Sequence, residues 1–142
     1  MGVLKGRCPL KFYGLVKLFY VKLLDGVISV DDIYTYGHEL LNKGYMTSNT
    51  IEYVNMSQIK DFAFNYSTAH KLIAMHDKWL KAGWYGSYYY APRDVHLGII
   101  NMVASIIKLQ PGYNLPEGIM IPGRENISPE DIRYFLETNR NL

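Results

Sequence analysis

The stretch from Asp94 to Leu109 is apolar on almost every side, with Asp94, Gly98, Asn101, Ser105 and Lys108 making only a narrow polar strip. A helix with that pattern needs neighbours around most of its circumference, because little of it can face water. Pro92 just ahead of it and Asp94 in its first turn suit a helix start. The chain is therefore expected to fold around this segment, about 93–109, as a central buried helix. Its 142 residues suffice for that one core, a single domain over 1–142.

Helical periodicity supplies the cover. Phe12, Leu15, Val16, Phe19, Tyr20 and Leu23 share one face of a helical wheel opposite Lys11, Lys22 and Asp25, between Pro9 and the stop at Gly26. Ser29 and Asp32 have capping-box spacing, with Ile28 and Ile33 placed as a staple, and predict a second helix ending at Gly44. Ser48 or Asn49 opens a short third helix through Val54. A longer helical stretch runs from Ser57 to Gly83, with a bend or break expected at Asn65 to Thr68. Pro111, Gly112, Pro116, Gly118, Pro122 and Gly123 make 110–126 a long loop with room for a short strand at Ile119 to Ile121. Ser128 and Pro129 start the last helix. The similarity of Ile28–Tyr34 to Ile127–Arg133 is expected from shared capping chemistry, with a duplicated helical unit as the alternative. The expected fold is all-α, a single-domain bundle of five or six helices with at most a minor β element.

The net charge of +2 divides unevenly: Lys5, Arg7, Lys11, Lys17 and Lys22 precede the first acid, Asp25, giving +5 there and −3 afterwards. Such a basic segment suits nucleic acid, anionic lipid or simply the wet face of a helix. Lysines interrupt Leu10 to Leu24, so no membrane span is expected there. The single cysteine, Cys8, makes no internal disulfide, which points to the cytoplasm. The Ile, Asn, Lys and Tyr usage suits a microbial or phage source.

No motif for a cofactor, a metal or nucleophilic catalysis emerges. Asp25-Gly26 matches only the second half of a calcium loop, and His70 and His76 are six residues apart, off the i, i+4 spacing of a ligand pair. His38-Glu39 has no second histidine four places on. His96 falls on the apolar side of its helix, where a hydrogen-bonded core role is the ordinary expectation. Gly86-Ser87 lacks the flanking glycine of a nucleophile elbow. Neither catalytic, cofactor-binding nor metal-binding residues are assigned.

Tyrosine is the outlier: 13 in the chain, four of them between Tyr85 and Tyr90. Read as a loop, Trp84, Tyr85, Tyr88, Tyr89, Tyr90 and Arg93 combine amphipathic rings with a guanidinium, the mixture enriched at protein interfaces. Tyr113 and Arg124 in the breaker-rich loop extend that partner-binding set. The structural alternative is a buried aromatic corner. The function this favours is binding of another protein by a small intracellular inhibitor, immunity factor, antitoxin or adaptor. The same patch suits a homodimer. One rival is a nucleic-acid-binding module using the basic segment and a turn at Gly44 to Asn49. The other is an enzyme or small-ligand receptor with His96, Arg93 and loop tyrosines around a pocket.

Overall fold

Ser29 caps the first helix as its spacing predicts. The Asp32 N–H donates to Ser29 Oγ at 3.1 Å and the Ser29 N–H returns a bond to Asp32 Oδ2 at 2.9 Å. The computed structural model describes residues 10–13, 16–22, 26–63, 70–111 and 119–139. In it α1 spans Val30–Asn42, α2 His70–Ala82, α3 Asp94–Lys108 and α4 Pro129–Asn139. Ser128 caps α4 in the same way, accepting from the Asp131 N–H at 3.1 Å. Helices α1, α3 and α4 lie close to their expected bounds.

The all-α bundle around a central buried helix is overturned: α3 lies in a layer on one face of a sheet and keeps Leu97, Gly98, Asn101 and Met102 exposed. Seven strands stand among the described residues: β1 Leu10–Tyr13, β2 Val16–Lys22, β3 Gly26–Ser29, β4 Thr50–Asn55, β5 Ile59–Ala63, β6 Trp84–Tyr90 and β7 Met120–Gly123. The segment expected as a first helix is the antiparallel pair β1–β2, the short third helix is β4, and the aromatic loop is β6. Among the described residues of the Ser57–Gly83 stretch, His70–Ala82 is helical and Ile59–Ala63 is a strand, and the expected break at Asn65 to Thr68 lies outside the described residues. The cause is burial on both faces. Five of the six residues of β4 are buried, so it shows none of the apolar–polar alternation that marks a half-exposed strand.

The main sheet has the order β1-β2-β4-β6-β7, with β2, β4, β6 and β7 parallel; β3 and β5 form a separate parallel pair. An order that never reverses, joined by crossovers of one hand, puts every crossover helix on one face. The cores obey this. Phe19, Val54 and Trp84 pack with α1, α2, α3 and the β3–β5 pair, whereas Leu18, Ile51, Tyr53 and Tyr88 pack with Ile132 and Phe135 of α4. A register shift between Thr50 and Ile51 lets β4 pair Thr50 with Trp84 and Ile51 with Gly86, so Tyr85 is the extra residue of a bulge. That turns Trp84 to the α1–α3 side with Ser87 and Tyr89. Gly86 bridges the shift at φ +148°, and a Cβ there would lie 2.4 Å from the Phe135 ring. Among the described residues no helix is long and apolar enough to cross a membrane.

Candidate functional site

Glu52 lies midway along β4, between Phe19 of β2 and Ser87 of β6, and is 3% exposed. A carboxylate there must find hydrogen-bond donors or become neutral. Ser87 Oγ donates to its Oε1 at 2.5 Å, and the Tyr36 hydroxyl, brought in by α1, donates to Oε2. Trp84 Nε1 in turn donates to Ser87 Oγ at 3.1 Å. No described basic side chain compensates the charge. Burial pushes the Glu52 pKa up from its ordinary 4.5 to about 6, against the opposing pull of the Ser87 and Tyr36 hydrogen bonds. The neighbouring Tyr89 phenol is held well above its ordinary value, by burial first and the Glu52 charge second.

Across the layer, α2 presents His76 and Trp79. The His76 ring stacks on Trp84 with centroids 5.1 Å apart and meets Trp79 edge-on at 5.4 Å, and Trp79 and Trp84 are themselves T-shaped at 5.2 Å. Burial drives the His76 pKa from 6.5 down to about 4. Its Nδ1 is 2.8 Å from the Leu72 carbonyl oxygen, an acceptor only, so that nitrogen carries the hydrogen of the neutral ring.

Several of these groups line a cavity of about 60 Å³ between the sheet and the helix layer. Tyr36, Glu52, His76, Trp79 and Tyr89 contribute its polar and aromatic lining, and Met56, Met75, Ile100, Val103 and Met120 are among its apolar lining. Apolar lining with a few convergent polar groups and displaced pKa values is a character that this cavity shares with small-molecule pockets.

The partner-binding set expected from sequence is dispersed by this arrangement. Trp84 is buried behind His76. Tyr88 is buried on the opposite face of the sheet, stacked on Tyr53 at 5.8 Å. Tyr89 walls the cavity, Tyr85 and Tyr90 are half-buried beside the α4 core, and Arg93 and Arg124 are exposed. Tyr113 lies outside the described residues, as do Cys8, Lys5 and Arg7. His96 is a core histidine: its Nε2 donates to the Ile59 carbonyl at 2.9 Å and its Nδ1 accepts from the Arg93 N–H at 3.2 Å. It does not line the cavity.

Sequence reasoning missed Glu52, Tyr36, Trp79 and the role of His76. One signal was available: Glu52 is the lone acid in Thr50-Ile51-Glu52-Tyr53-Val54, and an acid enclosed by β-branched and aromatic neighbours marks a buried, partnered carboxylate. Among the described residues no group of three or more His, Cys, Asp or Glu is placed to hold a metal ion. No family model matches the chain, and no curated protein matches its sequence.

Proposed function

We propose that the chain is a receptor for a small ligand, which binds between β4, β6 and the α1–α3 layer. The observation that carries this reading is Glu52, a buried carboxylate without a described cationic partner, on the wall of an otherwise mainly apolar cavity. As a purely structural element it is a poor choice, because buried ionic groups are generally replaceable by packed apolar side chains without loss of stability. A cavity of about 60 Å³ has room for roughly two non-hydrogen atoms, by proportion with a 150 Å³ cavity that takes benzene. Met56, Met75 and Met120 let it enlarge, since an unbranched thioether side chain repacks at low cost.

Trp79 and Trp84 are the chain's two tryptophans, and both belong to the cluster, so ligand entry is read directly from indole fluorescence and indole N–H resonances. Fragments of up to about six non-hydrogen atoms should produce saturable shifts in one or both indoles of the folded protein. A fragment set that leaves both indoles unmoved refutes the reading. Capture of another macromolecule through the aromatic segment has less to work with, because Trp84 and Tyr88 are committed to the two cores and Tyr85, Tyr89 and Tyr90 are half-buried on opposite faces of the sheet.

A further inference from the structure

Most of the hydrogens around Glu52 are already spent. Ser87 and Tyr36 donate to Glu52, Trp84 Nε1 donates to Ser87, and His76 Nδ1 donates to the Leu72 carbonyl. Trp79 Nε1 donates to the Gly37 carbonyl at 3.0 Å. What the wall offers inward is therefore mainly acceptor capacity and π-electron density, with the Tyr89 hydroxyl beside them. Each Glu52 oxygen has one hydroxyl partner where a carboxylate oxygen accepts two hydrogen bonds, and the neutral His76 ring keeps the Nε2 lone pair. Tyr36, Trp79 and Tyr89 add three ring systems around the carboxylate. A carbonyl, carboxylate or phosphate entering here meets a single lining hydroxyl not already spent on Glu52, that of Tyr89, beside an anion. A group with several N–H donors and a positive charge meets an anion, a lone pair and aromatic faces together.

Building on the small-ligand reading, we propose that the ligand is a compact primary alkylammonium, its charged head at Glu52 and its alkyl chain among Met75, Ile100 and Val103. The dimensions favour short chains. The apolar lining takes the carbon atoms, and desolvation of the ammonium is offset by a carboxylate that lacks a described cation.

The test is a titration of the intact protein with methyl- to butylammonium chlorides, read by tryptophan fluorescence and indole N–H shifts, with sodium chloride matched throughout. Propan-1-ol and sodium propionate serve as size-matched controls, and Glu52→Gln as the variant. At pH 7.5 propylammonium should saturate the signal with a Kd at least tenfold lower than propan-1-ol, and propionate should give none. Glu52→Gln, once shown by circular dichroism to be folded, should lose at least tenfold in propylammonium affinity. The wild type carries its own control. The groups facing the ammonium are Glu52 from β4, Tyr36 from α1, His76 from α2 and Tyr89 from β6, and of these only Glu52 titrates between pH 7.5 and 5. With its pKa at about 6, lowering the pH to 5 should weaken propylammonium binding by about tenfold and leave propan-1-ol unaffected. Equal affinities for propylammonium and propan-1-ol, or tighter binding of propionate, would overturn the ammonium assignment and leave the small-ligand reading standing. Silence from the whole series, controls included, would overturn both.

Discussion

Glu52 and His76 share one cavity wall, and their titrations pull stability in opposite directions. The Glu52 pKa is about 6 in the fold against an ordinary 4.5, so its protonation favours the folded state. That contribution is complete below pH 4.5 and is lost as the pH rises through 6, a swing of about 2 kcal/mol between the limits. His76 runs the other way. Its pKa is about 4 in the fold against 6.5, so stability present above pH 6.5 is lost as the pH falls toward 4, by about 3 kcal/mol. Between pH 7 and 5 the carboxylate gains about 1 kcal/mol while the imidazole costs about 2. The wild type is thus buffered, the pair together losing only about 1 kcal/mol over this range.

Glu52→Gln removes the first term, keeps the size of the side chain, and lets the Tyr36 hydroxyl rotate to accept from the new amide. Its stability should drop by about 2 kcal/mol from this source between pH 7 and 5. The variant-minus-wild-type difference should therefore move by about 1 kcal/mol in favour of the wild type, whatever its starting value. Urea unfolding at the two pH values, followed by Trp79 and Trp84 fluorescence, measures that difference, and titrating groups common to both proteins cancel. A difference that stays constant, or one that moves toward the variant on acidification, refutes the assignment of a raised pKa to Glu52.

Three further outcomes follow from the packing. Ser87→Ala strips Glu52 Oε1 and Trp84 Nε1 of their shared hydroxyl, which should cost about 1–3 kcal/mol and move Glu52 titration further above 6, visible by carbon-13 detection of its carboxyl. Gly86→Ala places a Cβ 2.4 Å from Phe135 and 2.8 Å from the Ile119 carbonyl at φ +148°, so a loss of about 2–4 kcal/mol is expected in chemical denaturation. Ser29→Ala removes one half of the α1 capping box and should cost about 1 kcal/mol by the same assay, with no effect on ligand titrations.

The helix ends were legible because capping is local. Ser29 with Asp32, and Ser128 with Asp131, are three residues apart, and the bonds they form depend on little else. The strands were not, because their signal is set by what covers them. In β2, Leu18 and Phe19 are both buried although they point to opposite faces, one toward α4 and the other toward the α1–α3 layer. A run buried on both faces satisfies a helical wheel as easily as a strand template. The tyrosine cluster failed for a related reason. Alternation along β6 sends Tyr88 to the α4 side and Tyr89 to the cavity, so four neighbouring rings never form one surface. Glu52 was hidden more deeply, since its partners Tyr36 and Ser87 reach it from two other elements and no spacing in the chain links them.

The topology also decides where a ligand can go. Parallel sheets that reverse their strand order open a crevice at the carboxyl edge, at the point of reversal. The order β2-β4-β6-β7 advances without reversal and provides no such point. The space left is between the sheet and its single-sided helix layer, the place where an apolar core would otherwise close. Residues from α1, α2, β4 and β6 place a carboxylate, an imidazole and a ring of aromatic faces around that gap. An apolar residue in place of Glu52 would relieve a desolvation penalty of about 2 kcal/mol at neutral pH. A cavity lined in this way is understandable as a compromise between stability and recognition: Glu52 is tolerable in the free protein when protonated or held by Tyr36 and Ser87, and becomes favourable when a donor-rich guest arrives. The Glu52→Gln variant separates the two halves of that account, since it should be the more stable protein near pH 7 and the poorer receptor at the same pH.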